Sequence, residues 1–383
     1  MASLLLVGFA DETVAFLPYG AVESIRQDVG LSYVQAGFLL ALYPGIGLLT
    51  TPLGVLADHV SRRAMAAIGG VGYGVGLWVF AAAQDFRTLF VAVAVMGTVG
   101  DALVRAVEVA LVDVAGDDIE PALARSNLLA AIGDLVGPLL LAAAIGTGLG
   151  WRAAFWAAGA MMVAYGVVLA TQPLPRPAGT DEERKPWRTM IEVAKDRRVI
   201  VAGLLLAVIV AFDDTFVGFA VAFLTTGRDL SPAVATLVAG AGMAGGIAAT
   251  AWASRTDRRQ VGLRPCAWLL LAGAALILLV PNVVAAAVGM TAVGAAMNLA
   301  WIILQARYMT LRPGQAGTTS AIVEAVAQVG VLTPLAIGLI ADRYGLTPAM
   351  SLYVVIAVVF VASTRRRAGA WCPPQQTPGG GHQ

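Results

Sequence analysis

The run Ser3-Leu4-Leu5-Leu6-Val7-Gly8-Phe9-Ala10-Asp11-Glu12-Thr13-Val14-Ala15-Phe16-Leu17-Pro18-Tyr19-Gly20-Ala21-Val22 decides the fold. About 20 residues at 1.5 Å per residue span the roughly 30 Å of a bilayer's hydrocarbon core, and this run is apolar apart from its middle. Two adjacent carboxylates there, Asp11 and Glu12, each cost roughly 2.5 to 3.5 kcal/mol on insertion scales, which marks them as functional candidates. Far downstream, Phe212-Asp213-Asp214-Thr215 repeats the pattern of Ala10-Asp11-Glu12-Thr13 inside another apolar run. Each copy leads to a similar ending, Gln27-Asp28-Val29-Gly30-Leu31-Ser32 and Gly227-Arg228-Asp229-Leu230-Ser231. The chain therefore reads as two related halves, each presenting an acidic helix to one shared cavity.

Composition agrees with that reading. The 383 residues are 58% hydrophobic and 13% charged, about half the charge of an average soluble protein. Apolar runs of helix length recur along the whole sequence, whereas barrel strands would alternate in short segments. The expectation is an all-α polytopic membrane protein with twelve transmembrane helices in two pseudo-symmetric six-helix bundles. The spans fall at 3–26, 33–57, 64–84, 88–113, 126–149, 153–172, 198–225, 232–254, 264–281, 283–305, 317–341 and 346–364. The first bundle is placed at 1–172, a polar cytoplasmic linker at 173–197, the second bundle at 198–367 and a disordered Pro/Gly/Gln-rich tail at 368–383. The first span has no basic leader and runs straight into the next, so it reads as a retained helix rather than a cleaved signal.

Charge placement orients the chain. With both termini cytoplasmic, 19 of the 25 Lys and Arg residues fall on the inner side, leaving Arg26, Arg87, Arg152, Arg228 and Arg343 outside and Arg105 within the membrane. The abundance of Arg over Lys and of Ala, Gly and Val suggests a bacterial protein of the inner membrane. A net charge of +1 gives no case for nucleic acid. The two cysteines, Cys266 and Cys372, and the two histidines, His59 and His382, form no metal-binding pattern. Neither a cofactor nor a metal is implied. A nucleotide loop or a nucleophile with a histidine partner is also missing from the spans, which argues against an enzyme.

After the second span comes Gly54-Val55-Leu56-Ala57-Asp58-His59-Val60-Ser61-Arg62-Arg63. It resembles the signature loop of the major facilitator superfamily, with His59 and Ser61 in place of the usual arginine and second glycine. A degraded copy, Thr250-Ala251-Trp252-Ala253-Ser254-Arg255-Thr256-Asp257-Arg258-Arg259, comes after the eighth span, and Gly338-Leu339-Ile340-Ala341-Asp342-Arg343-Tyr344-Gly345 closes the eleventh in a form common in that superfamily. In the fifth span Gly133-Asp134-Leu135-Val136-Gly137-Pro138 is similar to the glycine and proline motif of its antiporters, although Leu141 and Ala142 stand where glycines are usual. Gly150-Trp151-Arg152-Ala153-Ala154-Phe155-Trp156 resembles the segment after that motif in drug exporters. The resemblance implies two six-helix domains rocking about a central site. It places Gly54, Asp58, Arg62, Arg63, Gly133, Gly137 and Pro138 in gating roles.

The fourth span departs from the exporter pattern. Val93 stands where an embedded arginine is common, and the span instead carries Asp101, Arg105 and Glu108, spaced so that Arg105 can share a face with both acids. A structural ion cluster and a proton relay both fit that spacing. Together the spans hold Asp11, Glu12, Asp101, Glu108, Asp134, Asp213 and Asp214 against one guanidinium, and that many carboxylates cannot all stay ionised away from water. Some should bind protons. Adjacent residues differ by about 100° on a helix, so one acid of each neighbouring pair faces the centre. Asn298, Gln305, Glu324 and Gln328 are polar candidates for contacting substrate, and Tyr19, Tyr43, Trp78, Phe212, Phe216, Phe219 and Trp301 are aromatic ones; hydrogen bonding between helices and simple packing are the competing roles.

The leading reading is a proton-coupled exporter of amphiphilic or cationic organic compounds. A metabolite or lipid carrier, a divalent-cation exporter and a membrane sensor that kept the fold without translocation are the alternatives. The expected partners are a small-molecule substrate, protons and the lipid bilayer, with the chain acting as a monomer.

Overall fold

The computed structural model describes residues 1–50, 61–115, 119–174, 191–255, 262–312 and 316–365. Gly54 and Asp58 of the signature loop, most of the linker, the end of its degraded copy and the tail lie outside these residues. Among the described residues the regular structure is helical. Ten helices are long and apolar enough to cross a membrane, and Tyr33–Tyr43 and Leu263–Leu279 are shorter apolar helices. In chain order they supply the twelve expected spans.

Six spans are single helices that start and stop close to expectation: the third is Arg62–Ala82, the fourth Phe86–Ala115, the sixth Trp151–Thr171, the eighth Pro232–Arg255, the tenth Val283–Met309 and the twelfth Leu346–Arg365. The ninth is Leu263–Leu279, and the second, Tyr33–Thr50, is described only to Thr50. The fifth, Ile119–Gly146, begins about two turns earlier than the hydropathy suggested, because its first residues include the polar Glu120, Arg125 and Ser126.

Three spans are not the continuous helices expected from sequence. The first consists of Ala2–Gly20 and Val22–Val29, joined at Ala21. Pro18, just before the joint, has no amide hydrogen for the carbonyl of Val14. The seventh breaks at Phe212 and Asp213, between Arg197–Ala211 and Asp214–Thr226. The eleventh runs Ala316–Ala327, a 3-10 turn Gln328–Leu332, then Thr333–Tyr344. Pro334 cannot donate to the carbonyl of Gly330, and the amide of Thr333 takes that carbonyl instead, three residues on, which is the 3-10 pattern.

The packing pattern repeats with a shift of six spans. The first packs on the fifth as the seventh packs on the eleventh, the third on the sixth as the ninth on the twelfth, and the third on the fourth as the ninth on the tenth. Small residues carry the closest of these contacts: a Cβ added to Gly70 would lie 2.7 Å from Cα of Gly166, and one added to Gly273 2.7 Å from the carbonyl oxygen of Gly289. Apolar side chains gain nothing over lipid by meeting one another, so close backbone approach and dispersion hold such helices together.

The halves meet through the second span against the eleventh, the fifth against the eighth, and the first against the second part of the seventh. In the fifth and eighth spans Gly146 approaches Ala233 and Pro138 approaches Gly240. The pairs step down together from the end carrying residues 147–150 and 227–231, as antiparallel helices should. Gly37 approaches Pro334 and Gly338 approaches Tyr33 in the same way. These contacts form a seal at the end of the molecule opposite the two termini. A clamp stands at the same end: Arg152 donates to the carbonyls of Ala81 (3.0 Å) and Ala83 (2.9 Å) at the end of the third span and pairs with Asp28 at the end of the first. Trp151 adds a hydrogen bond from its indole to Asp28 (3.0 Å).

Candidate functional site

The first and fifth spans are in backbone contact because Gly133 and Gly137 carry no side chain. A Cβ on Gly133 would sit 2.5 Å from the carbonyl oxygen of Phe9 and 3.2 Å from Cβ of Glu12, and one on Gly137 2.9 Å from the oxygen of Thr13. The Thr13 hydroxyl donates to the Phe9 carbonyl at 2.7 Å and reaches that of Gly133 at 3.5 Å. This approach places the Glu12 carboxyl beside that of Asp134. Two carboxylates brought together away from water repel each other, which favours a proton on one of them. Pro138, one turn on, cannot donate to the carbonyl of Asp134, which frees a second acceptor at the same level. Its ring faces the eighth span, where a Cβ on Gly240 would lie 3.2 Å from its own Cβ. The antiporter-like motif is thus divided in its contacts: the glycines seat the acid against the first span and the proline touches the other half.

Asp11 lies about 100° around the helix from Glu12. The charges of Glu108, Asp101 and Asp134 all bear on it. Asp101 is held by Arg105 at 2.9 Å, so the guanidinium in this region is partly committed, while Glu108 is exposed on the next turn. Close to Asp11 stand two tyrosines whose hydroxyls are 2.6 Å apart, Tyr43 of the second span and Tyr73 of the third. Gly100 gives the rings room, since a Cβ there would lie 3.1 Å from the Tyr73 ring. Five carboxyls, one guanidinium and two phenols from five spans therefore share one region of the first half.

The acids of the second half are set differently. Asp213 is exposed at the break of the seventh span, where its carbonyl receives the amide of Phe216. Asp214 opens the following helix; its side chain is outside the described residues. Gly218 faces the carbonyl of Tyr19 and the side chain of Val22. Five residues back along both parallel spans, Asp213 comes level with about residues 14 to 17, roughly one turn, or about 5 Å, nearer the sealed end than Asp11 and Glu12.

Asn298, Trp301 and Gln305 follow one another along the tenth span, with Asn298 donating to the carbonyl of Gly294 at 3.1 Å and Trp301 partly exposed. Tyr308, on the same span, donates to Glu324 of the eleventh at 3.4 Å, and Ser320 donates to the same oxygen at 2.7 Å. Glu324 is exposed, and Gln328 one turn later begins the 3-10 turn with a buried side-chain oxygen that no donor reaches. Two of the aromatic candidates are buried. Phe216 is fully buried against Phe212 (5.2 Å between centroids) and Tyr353 (4.8 Å), and Tyr19 is buried at the wall of a small apolar cavity of about 20 Å³. That cavity lies between the sealed end and the acids and has Tyr43 in its lining. At the terminal end Arg62 is buried and Arg63 donates to the carbonyl of Ala170.

Sequence reasoning missed Tyr73, Arg152 as a clamp, and the contacts of Tyr33 and Asp342 at the seal. Asp342 was visible inside the Gly338 to Gly345 motif, and Arg152 as a lone charge at a helix start; Tyr73 sits in a glycine-rich run with nothing to single it out. Among the described residues no three His, Cys, Asp or Glu side chains are gathered so as to hold a metal ion.

The sequence pattern that defines the Major Facilitator Superfamily matches residues 4–333. This chain belongs to the major facilitator superfamily. It is a membrane transporter by family, and solved structures share its fold over nearly its whole length. A nucleoside transporter, NupG, superposes with a TM-score of 0.78 at 14% identity, covering 95% of this chain and 98% of that one. A bacterial homologue of the human lysosomal transporter Spinster, captured inward-facing and unoccupied, gives 0.71 at 16% identity over 97% and 98%. A D-xylose–proton symporter gives 0.72 at 16% identity over 97% of each chain. At these identities the likeness is one of fold.

Proposed function

We propose that the protein is a proton-coupled secondary active transporter that exports amphiphilic or cationic organic compounds by alternating access. The observation that carries the reading is the close pair of carboxyls Glu12 and Asp134, set between two spans of the first half where Gly133 lets the backbones touch, and beside Asp11, Asp101 and Glu108. Such a pair holds a proton that a cation can replace, so proton and substrate compete for one negative site. Arg105 is tied to Asp101, which leaves the region a surplus of acid and suits a cation rather than an anion. With both termini cytoplasmic, the sealed end faces outward, so the acids would be reached from the cytoplasm, where an exporter collects its cargo. Glu324, exposed beside Tyr308 in the second half, supplies a further cation contact.

The test is transport by the purified chain in proteoliposomes under an imposed proton gradient, with a fluorescent organic cation as the probe and a nucleoside and a pentose as competitors. Glu12→Gln and Asp134→Asn, singly and together, should each lower proton-driven accumulation at least tenfold while leaving the protein folded. Undiminished accumulation in the double variant would sink the proposed coupling site. Transport of the nucleoside or pentose without the cation would move the assignment to a metabolite carrier.

A further inference from the structure

The second span begins with a capping box. The Ser32 hydroxyl accepts the amide of Gln35 at 3.1 Å, and the Gln35 side chain accepts the amide of Ser32 at 3.0 Å. That leaves the first two helical amides, Tyr33 and Val34, with no partner on their own helix. Both are taken by one residue of the other half. Asp342, at the end of the eleventh span, accepts Tyr33 through one carboxylate oxygen at 2.7 Å and Val34 through the other at 3.0 Å. A carboxylate on the positive end of a helix is favourable by charge as well as by hydrogen bonding. The cap of this helix is therefore completed only when the halves are together.

Tyr33 is fixed from two further directions. Arg26 of the first span lies over its ring at 4.2 Å and is itself held by Glu23 at 2.8 Å. The Tyr33 hydroxyl lies beside Thr226, at the end of the seventh span. The neighbouring Arg343 turns onto the ring of Tyr344. We propose that Asp342 is the gating residue of the sealed end: its two-pronged hold on the amides of Tyr33 and Val34 is the contact that must break before that end can open. The proposal concerns how the halves part and is independent of which substrate is carried.

The experiment reads opening directly. In a chain with Cys266 and Cys372 replaced by alanine, a single reporter cysteine is placed at Ala36, which is 1% exposed one turn below Tyr33. Its alkylation by a membrane-impermeant maleimide is timed in reconstituted protein without substrate. Asp342→Ala should raise the labelling rate roughly tenfold, since two charge-assisted hydrogen bonds between the halves are lost together. Asp342→Asn, which keeps an acceptor but loses the charge, should raise it less, and Arg343→Ala should leave it unchanged. Equal rates in Asp342→Asn and the parent, or an Arg343→Ala effect as large as that of Asp342→Ala, would overturn the proposal; the asparagine variant decides the matter if the alanine variant does not fold.

Discussion

Gly338 and Gly37 face the partner half at the seal, whereas Gly133 faces its own half, and that difference predicts two kinds of damage from one kind of substitution. In Gly338→Ala the new Cβ would stand 2.5 Å from the carbonyl oxygen of Tyr33 and 2.9 Å from Cα of Val34; in Gly37→Ala it would stand 2.9 Å from the carbonyl carbon of Pro334. Ordinary contact begins at 3.4 Å, and the opposing atoms are backbone, which cannot swing aside. The second and eleventh spans must therefore separate by up to about 0.9 Å at Gly338. Overpacking of this size costs about 1 to 3 kcal/mol, and every 1.4 kcal/mol changes a conformational ratio tenfold. Because the clash lies between the halves, the strain is relieved by parting them rather than by unfolding. Gly133→Ala is the comparison: its Cβ meets the Phe9 carbonyl at 2.5 Å inside the first half, so the same cost falls on stability. Spin labels across the sealed end should report a broadened, longer distance in the Gly37→Ala, Gly338→Ala double variant, with a melting temperature closer to the parent than that of Gly133→Ala. A double variant that melts as early as Gly133→Ala with the parental distance would refute the argument.

Arg152→Ala removes the clamp among the first, third and sixth spans. It should cost about 2 kcal/mol, the scale of a charged hydrogen bond discounted for partial exposure, and Asp28→Ala in the Arg152→Ala background should add little, as a double-mutant cycle on thermal unfolding would show. Phe216→Ala opens a void in the cluster with Phe212 and Tyr353 and should cost about 3 to 5 kcal/mol. In a binding titration at a temperature where the variant stays folded, its affinity for the transported cation should match the parent, since the ring is buried in packing.

The span count was legible because twenty apolar residues in a row have few other uses, and the two halves because their acidic runs resemble each other in letters. The breaks in the first and eleventh spans were less so, although Pro18 and Pro334 stand in plain view: a proline inside an apolar run disturbs the backbone without interrupting hydropathy. The break at Asp213 has no proline to announce it. Of the site, the carboxyls were found because any charge within a span stands out, yet their grouping was not. Glu12 pairs with Asp134 because Gly133 and Gly137 let two backbones touch, a fact of three dimensions; the repeat in sequence had suggested instead that Asp11 and Glu12 answer to Asp213 and Asp214. Tyr43 and Tyr73 show the opposite problem, since a phenol in an apolar run reads as packing until its hydroxyl is seen beside another.

The clamp at Arg152 also bears on how force is carried. Ala81, Ala83 and Asp28 meet the Arg152 guanidinium at the sealed end, and Trp151 beside it holds Asp28, so three different spans are tied at one point. A pull applied to the tip of any one of these rods is passed to the others before the rods can slide. The first bundle should then tilt as a stiff lever about its contacts with the second, delivering motion at the sealed tip to the acids deeper in the bundle with little lost to bending.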